Sequence, residues 1–280
     1  MKQRYTTEER RISEQDEWEM NQRGMVEYNV GAADRKKLGS EYDLVQMDDI
    51  EFVETLQQKG INIEEMLAEN KRRDELMAQA PTEFEKIQIQ RASLPVTRCR
   101  EQILEYVKNY NIIIVEAETG SGKTTQIPQF LHEAGYTEHG MIGCTQPRRV
   151  ACMEVASRVA VEMGVKLGNE VGYNVRFENK TNERTVIKYL TDGMLLREFL
   201  TEPDLASYSV MIIDEAHERS LHTDVLLGLI KDVSRARDDL KIIISSATMD
   251  SEKFSKYFDD APILSVGIVR GNCVHHYDIY

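Results

Sequence analysis

Residues 112–125 read Ile-Ile-Ile-Val-Glu-Ala-Glu-Thr-Gly-Ser-Gly-Lys-Thr-Thr, and this stretch decides the fold. Its first four apolar residues predict a buried strand, and the glycines at 120 and 122 let the following loop wrap closely around an anion. A helix is predicted from Thr124 to Glu133, and its positive N-terminal end would face the same anion. Lys123 would reach the outer phosphates of a bound phosphate chain, and the Thr124 hydroxyl would ligate Mg²⁺.

The loop departs from the usual phosphate-binding pattern at one position. Ala117 replaces the first glycine, which begins the loop without touching the phosphates closely. The alternative is an ordinary glycine-serine turn, but the strand before it, the helix after it and the Lys-Thr pair favour phosphate binding. The predicted phosphate-contact residues are Glu118, Thr119, Gly120, Ser121, Gly122, Lys123, Thr124 and Thr125.

A second strand, Val210–Ile213, leads directly into two adjacent acids, Asp214 and Glu215. Carboxylates are rarely buried without a partner, so packing explains this pair poorly. Beside a phosphate loop, Asp214 and Glu215 would hold the Mg²⁺ shell with Thr124, and Glu215 would accept a proton from an attacking water. An isolated acidic pair is more often a strand-end cap, and it is the upstream phosphate loop that favours catalysis.

Short apolar runs alternate with amphipathic stretches after Pro95. This alternation predicts an α/β fold with a mostly parallel sheet covered by helices on both faces, where ligands bind beyond the carboxyl ends of the strands. The predicted strands are Ile112–Val115, Met141–Cys144, Val186–Leu190, Val210–Ile213 and Ile242–Ser245. The predicted helices are Thr124–Glu133, Val150–Met163, Gly193–Leu200, Leu221–Ser234 and Ser251–Phe258.

The last of these strands ends at Ser246-Ala247-Thr248. Small hydroxyl residues at a strand end are commonly turn residues. Here they would lie beside Asp214 and His217, where Ser246 and Thr248 could relay the state of the outer phosphate. The predicted catalytic set is therefore Lys123, Asp214, Glu215, His217, Ser246 and Thr248.

Composition limits the remaining possibilities. The net charge of −13 argues against a broad basic face for duplex DNA, so any nucleic-acid contact must be local. The four cysteines lack CxxC spacing, which argues against a zinc site, and we expect buried, reduced thiols. There is neither an apolar run long enough to span a membrane nor a signal-peptide pattern, so the chain is expected to be intracellular. Residues 1–90 are charged, and we expect a disordered or helical extension, with one helix at Glu64–Gln79.

The chain resembles the DEAH-box RNA helicases of helicase superfamily 2 over roughly residues 91–264. Within that family, overall similarity, which includes residues 202–209, is greatest to the pre-mRNA-splicing helicases that act on the spliceosome before the first transesterification. The motifs that carry the resemblance are the phosphate loop, Ser93–Val96, Thr145–Ala151, Val171–Phe177, Thr191–Leu195, Asp214–Arg219 and Ser246–Met249.

The resemblance implies a RecA-like domain that hydrolyses ATP with Mg²⁺. It also implies that Thr145, Arg148, Arg149 and Thr191 contact the backbone of single-stranded RNA, a grip that positions a strand without reading bases. Arg158 would stack on the nucleotide base. The alternatives are a solvated arginine pair at a helix start for Arg148 and Arg149, and an exposed helix charge for Arg158.

The resemblance further implies a nuclear location and spliceosomal proteins as possible partners. We expect a RecA-like lobe at residues 91–265, followed by a divergent tail at 266–280 in place of a second lobe. An alternative function is therefore a non-catalytic nucleotide- and RNA-binding fragment. A kinase-like P-loop ATPase would leave the RNA-contact motifs unexplained, while DNA remains open as the nucleic acid.

Overall fold

The structure, a computed structural model, describes residues 63–80, 82–247, 251–266 and 274–275. Three sequence predictions fall outside these residues: the extension as far as residue 62, the site residue Thr248, and most of the tail from 266 to 280. The predicted helix at Glu64–Gln79 is confirmed, because helix α1 spans Ile63–Gln79.

Three further helices precede the first strand, and the sequence did not predict them. Helix α2 (Glu83–Ala92) begins at Thr82, whose side chain accepts the backbone N–H of Glu85 as a helix N-cap. It crosses position 90, which was the predicted end of the extension, and Gln88 Nε2 donates to the carbonyl of Glu162 at 2.7 Å. Helices α3 (Pro95–Arg98) and α4 (Arg100–Asn109) then lead into the sheet.

Seven parallel strands form the centre of the sheet in the described part of the chain, with a short antiparallel strand at each edge. The spatial order is β4-β3-β5-β2-β6-β7-β1-β8-β9. The strands are β1 Ile112–Ala117, β2 Met141–Gln146, β3 Val171–Val175, β4 Glu178–Lys180, β5 Ile187–Thr191, β6 Tyr208–Ile213, β7 Lys241–Ser246, β8 Ile263–Val266 and β9 Val274–His275.

Helices cover both faces of this sheet, so the predicted fold class is confirmed. Successive residues of β1 enter different cores: Ile113 and Val115 pack with the helices on one face of the sheet, and Ile114 packs with the helices on the other face. The helices after β1 are α5 Lys123–Glu133, α6 Arg149–Glu162, α7 Asp192–Thr201, α8 Leu221–Ala236 and α9 Ser251–Tyr257, and short 3₁₀ turns span Tyr136–Glu138 and Ala216–Glu218.

All five predicted strands and all five predicted helices are present, with bounds that differ by at most two residues. Four of the nine described strands were missed: the short antiparallel edge strands β4 and β9, and the parallel strands β3 and β8. Glycine and asparagine interrupt the apolar pattern of Val171–Val175, and Ile263–Val266 is only four residues long. Pairing with β5 and β1 respectively makes both of them strands.

The cysteines follow the expectation only in part. Cys144 and Cys152 are buried free thiols, and burial raises the pKa of Cys152 to about 12. Cys99 is disulfide-bonded, so the expectation of a reduced thiol is wrong there. Among the described residues, no group of His, Cys, Asp and Glu is arranged to hold a metal by itself. No helix in the same residues is long and apolar enough to span a membrane.

Candidate active site

The loop between β1 and α5 turns at two glycines with left-handed backbones. The φ angle is 84° at Gly120 and 88° at Gly122, a region that residues with a Cβ rarely adopt. A Cβ added at Gly122 would lie 2.8 Å from Leu94 Cδ1, whereas one added at Gly120 would meet no atom within 4 Å. On the outer side, the backbone N–H of Val96 donates to the carbonyl of Ser121 at 3.1 Å. The left-handed backbone favours glycine at both positions; at Gly122 a Cβ would also displace the Leu94 side chain, whereas Gly120 borders open space.

The loop has the features of a phosphate site. Ser121 Oγ is buried and lacks a hydrogen-bond partner among the described residues, which is uncommon for a buried hydroxyl. Helix α5 begins at Lys123, so its first N–H groups have no intrahelical acceptor and its positive end lies at the loop. These groups fit a bound phosphate. Of the predicted contact residues, Glu118, Thr119 and Gly120 are exposed, Gly122, Thr124 and Thr125 are half-buried, and Ser121 and Lys123 are buried.

Asp214 follows β6 as a carboxylate that is only 1% exposed. Its Oδ2 accepts the Thr124 hydroxyl and, at 2.6 Å, Gln146 Nε2. Its Oδ1 accepts the backbone N–H of Glu215 at 2.9 Å. These donors satisfy a buried carboxylate that would otherwise destabilise the fold. The Thr124 and Asp214 oxygens together fit Mg²⁺, which proteins typically hold through one or two carboxylates with phosphate and water completing the shell.

Glu215 lies between the phosphate loop and the end of β7. Its backbone is left-handed, with φ at 53°, which is a strained conformation for a residue with a side chain. Oε1 lies 2.9 Å from Lys123 Nζ, and Oε2 lies 3.4 Å from His217 Nδ1. His217 Nδ1 in turn accepts the backbone N–H of Ala247 at 3.3 Å. The predicted catalytic residues among those described, including the buried Ser246, therefore lie at the adjacent carboxyl ends of β1, β6 and β7.

Residues 88–256 match the family model described as DEAD/DEAH box helicase. The match covers more than half of the chain and contains both the phosphate loop and the acid pair. The chain belongs to the DEAD/DEAH box helicase family. Membership implies an ATP-binding domain of an ATP-dependent helicase, in a family that uses ATP with Mg²⁺ and binds nucleic acid.

Two arginines of this helicase domain lie just beyond the carboxyl end of β2. The Arg148 side chain is 76% exposed and pairs with Glu218 at 3.1 Å, and Arg149 is about half exposed and pairs with Glu178 at 3.4 Å. Exposed ion pairs of this kind contribute little stability, typically about 0.2–1 kcal/mol. Both guanidinium groups are therefore accessible to a competing phosphate. Thr191 lies at the N-cap of α7 and is half-buried.

Thr145 differs from the other predicted RNA-contact residues because it is fully buried. Its side chain lies beside Asp192, which is 3% exposed and accepts the Thr223 hydroxyl at 2.6 Å. Burial raises the pKa of Asp192, and the hydrogen bond from the Thr223 hydroxyl partly offsets that rise. Thr223 is also bonded to Ser220, which caps helix α8 after the acid pair. Thr145 therefore lies behind the surface, beside Asp192, and it is Asp192 that bonds to the segment after the acids.

Sequence reasoning missed three residues in the helicase domain that this geometry singles out. Gln146 donates to Asp214, and Asp192 joins β5 to α8, but a buried glutamine or aspartate has no periodicity that would mark it. Phe177 is 88% exposed in the turn between β3 and β4, with φ at 70° and the Arg176 guanidinium 4.8 Å from its ring centroid. An exposed aromatic ring next to the Glu178–Arg149 pair offers a stacking surface for a base.

Arg158 lies on α6 as predicted, and its side chain is 44% exposed. Its Nε donates to Glu162 Oε1 at 2.7 Å, and its Nη2 donates to Gln90 Oε1 at 3.3 Å. Arg158 is therefore an exposed charge on its helix, as the alternative reading has it, and its guanidinium is also held by two acceptors. The guanidinium is bound on two sides while one part of the side chain stays open to solvent.

Proposed function

We propose that this chain is the ATP-binding lobe of a DEAH-type RNA helicase that couples ATP hydrolysis to the remodelling of RNA or RNA–protein complexes. The observation that carries the proposal is the cluster formed by Lys123, Thr124, Asp214 and Glu215. Two side-chain contacts, Lys123–Glu215 and Thr124–Asp214, join residues about ninety positions apart and bring a phosphate loop against an acid pair.

In this proposal each side chain has a separate step. The N–H groups of the loop and the buried Ser121 hydroxyl bind phosphate oxygens, and Lys123 neutralises the outermost ones. Thr124 and Asp214 would hold Mg²⁺, which would neutralise charge on the phosphates. Glu215 accepts the proton of the attacking water, since it lies within 2.9 Å of the lysine that holds the group under attack.

RNA is the proposed nucleic acid. Arg148 and Arg149 would neutralise successive backbone phosphates, and Phe177 would stack on a base. Thr191 would contact the backbone from the start of α7. Because Thr145 is buried, we assign it an indirect part, in which its contact with Asp192 ties the RNA-facing loops to the segment after Glu215.

We further propose a role in pre-mRNA splicing, in the nucleus and with spliceosomal protein partners. The support for this finer assignment is the sequence resemblance, including residues 202–209. Addition of a Glu215→Gln chain to a splicing extract tests it. We expect substrate to accumulate before the first transesterification, and unaffected splicing of several substrates would count against the assignment.

A second candidate is nucleotide and RNA binding without turnover. Among the described residues, Glu215 pairs with Lys123 and lies near His217, and no arginine pairs with it. Arginines that neutralise charge on the outer phosphate contribute on the order of 10³–10⁵ in rate in related ATPases. A domain without such an arginine would bind nucleotide and hydrolyse it slowly.

RNA-stimulated ATP hydrolysis by the 280-residue chain separates the two candidates. The first predicts turnover that rises with single-stranded RNA, is abolished by Lys123→Ala, and falls about 10²–10⁴-fold in Glu215→Gln, as expected when a general base is lost. The second predicts ATP binding that Lys123→Ala abolishes, with no stimulated turnover. Turnover that survives both substitutions would contradict the assigned roles.

A further inference from the structure

Glu162, the last residue of α6, is a carboxylate that neither the phosphate loop nor the acid pair accounts for. It is 2% exposed, a rare state for a glutamate unless it is paired. Its Oε1 accepts Arg158 Nε at 2.7 Å. Its Oε2 accepts the side-chain amides of Gln126 and Gln129, each at 2.8 Å. Three donors on one buried carboxylate fix its orientation.

Two of those donors come from α5, the helix that begins at the phosphate loop. Gln126 Nε2 also lies 3.0 Å from the Thr125 hydroxyl, so one amide bridges the loop and Glu162. The other end of Gln126 accepts Arg91 Nε from α2 at 2.7 Å. An unbroken chain of hydrogen bonds therefore runs from Thr125 through Gln126 and Glu162 to Arg158.

Arg158 is the exposed end of this chain. Glu162 holds its Nε and Gln90 holds its Nη2, so two acceptors on different helices restrict a side chain that normally samples many rotamers. A planar guanidinium held in this way can stack on an aromatic ring without having to be ordered when the ring binds.

Stability alone explains this arrangement poorly. Replacing a buried ion pair with apolar residues of similar volume is often neutral or stabilising, so burying a glutamate to hold a half-exposed arginine gives the fold little. If Glu162 instead holds Arg158 at a fixed position relative to the phosphate loop, both its burial and its bonds to α5 are explained.

We propose that Glu162 is a positioning residue for the nucleotide base: it aligns Arg158 with a base whose phosphates bind at residues 118–125. The inference rests on the proposed function, because it requires a nucleotide at the phosphate loop. Gln126 fixes the spacing between the phosphate loop and the base-binding position at Arg158. Gln90 supports Arg158 from α2.

The test compares two ligands with the same phosphate chemistry, ATP and inorganic tripolyphosphate, each with Mg²⁺. Binding is measured by calorimetry for the wild-type chain, Glu162→Gln, Arg158→Ala, the double variant and Lys123→Ala. Glu154→Gln is the matched control, since Glu154 is an exposed glutamate on the same helix. Thermal unfolding of each variant shows whether it is folded.

We expect Glu162→Gln and Arg158→Ala each to weaken ATP binding about tenfold while changing tripolyphosphate affinity by less than about twofold, in line with the loss of a charge-assisted contact. The double variant should bind ATP no more weakly than Arg158→Ala alone, because Glu162 acts through the arginine. Glu154→Gln should match the wild type.

Equal losses for ATP and tripolyphosphate in Glu162→Gln would overturn the inference and show a structural role, as would additive losses in the double variant. If Glu162→Gln does not fold, Gln90→Ala takes its place, with a smaller loss of ATP affinity that again vanishes in the Arg158→Ala background. Failure of the wild type to bind either ligand in a Lys123-dependent manner would overturn the proposed function and this inference together. If Glu162→Gln and Arg158→Ala keep both their tripolyphosphate binding and the ATP affinity of the wild type, the inference is overturned and the proposed function is not.

Discussion

Gly120 and Gly122 share a left-handed backbone but have different surroundings. The Cβ position of Gly122 is occupied by Leu94, and that of Gly120 is open. Replacing each glycine with alanine therefore distinguishes two effects on stability. At Gly120 the alanine adds backbone strain alone, and at Gly122 it adds backbone strain and a steric clash. Ligand binding is measured separately from both.

We expect Gly120→Ala to lower the free energy of unfolding by about 1–2 kcal/mol, the penalty for a left-handed alanine. Gly122→Ala should lose more, because it adds the clash with Leu94, and Leu94→Ala should recover part of that difference. Both variants should lose ATP affinity, Gly120→Ala because its Cβ enters the phosphate space. Urea denaturation measures the free energy of unfolding, and calorimetry measures ATP affinity. Equal stability losses at the two glycines would contradict the clash with Leu94 at Gly122.

A second residue-scale prediction concerns Asp192. Burial raises its pKa above the ordinary value of 3.8, so the folded protein holds this proton more tightly than the unfolded chain does. The stabilising contribution of the group is therefore present below that ordinary pKa and is lost as pH rises through the folded-state pKa.

The variant Asp192→Asn keeps an oxygen that can accept the Thr223 hydroxyl and removes the charge. We expect the wild type to lose stability relative to this variant as pH rises from the ordinary pKa of 3.8 through the raised pKa of the folded state. Chemical denaturation of both proteins across that range provides the measurement. A stability difference that stays constant with pH would show that the carboxyl is not in a destabilising environment.

At the scale of elements, helix α5 contains an internal proline. Pro128 has no N–H to donate to the carbonyl of Thr124, four residues earlier, which would leave that carbonyl without its helical partner. The hydroxyl of Tyr189, on β5, donates to it instead at 3.0 Å. Burial raises the pKa of Tyr189 well above its usual range, so the hydroxyl stays protonated and remains a donor. A strand thus completes the first turns of the phosphate-loop helix.

We expect Tyr189→Phe to lower the free energy of unfolding by about 1–3 kcal/mol, the usual effect of leaving a buried acceptor unpaired. In a Pro128→Ala background the new backbone N–H can supply that bond, so the same substitution should be less destabilising. A double-mutant cycle of denaturation midpoints measures the coupling. Additive effects would mean that the tyrosine and the missing N–H are unrelated.

At the scale of the whole molecule, the proposed contact with RNA must be local because the chain is acidic. The net charge is −13, yet Arg148 and Arg149 are both exposed beyond β2. Each phosphate neutralised on a single strand contributes roughly −0.7 to the slope of log affinity against log salt concentration. Two arginine contacts therefore predict a shallow slope of roughly −1.4.

Arg148→Ala and Arg149→Ala should each reduce that slope by roughly 0.7, in titrations of single-stranded RNA at several salt concentrations. Phe177→Ala is the matched non-ionic variant: it should weaken binding by about 1–3 kcal/mol, as for a lost stacking contact, with the slope unchanged. A slope that neither arginine alters would place the RNA elsewhere on the surface.

Much of the fold was predictable because its signals are local. A buried parallel strand is an uninterrupted apolar run, so β1 and β6 were recognisable, whereas the polar residues within β3 hid it until β5 supplied its partner. Helix α2 was missed for a similar reason: it buries no residue fully and is held by long-range contacts such as Gln88 with Glu162.

The sequence by itself determined the α/β class, the phosphate loop and the acid pair, because the residue types at 118–125 and 214–215 need particular backbone conformations or charge partners wherever they occur. Only the tertiary structure decided which side chains complete the site. Gln146, Tyr189 and Glu162 are polar residues without a local pattern, and they become significant only when the sheet brings them to a buried acid, an unpaired carbonyl or an arginine. The physical reason is that a buried polar group requires a partner, and that partner can lie at any distance along the chain.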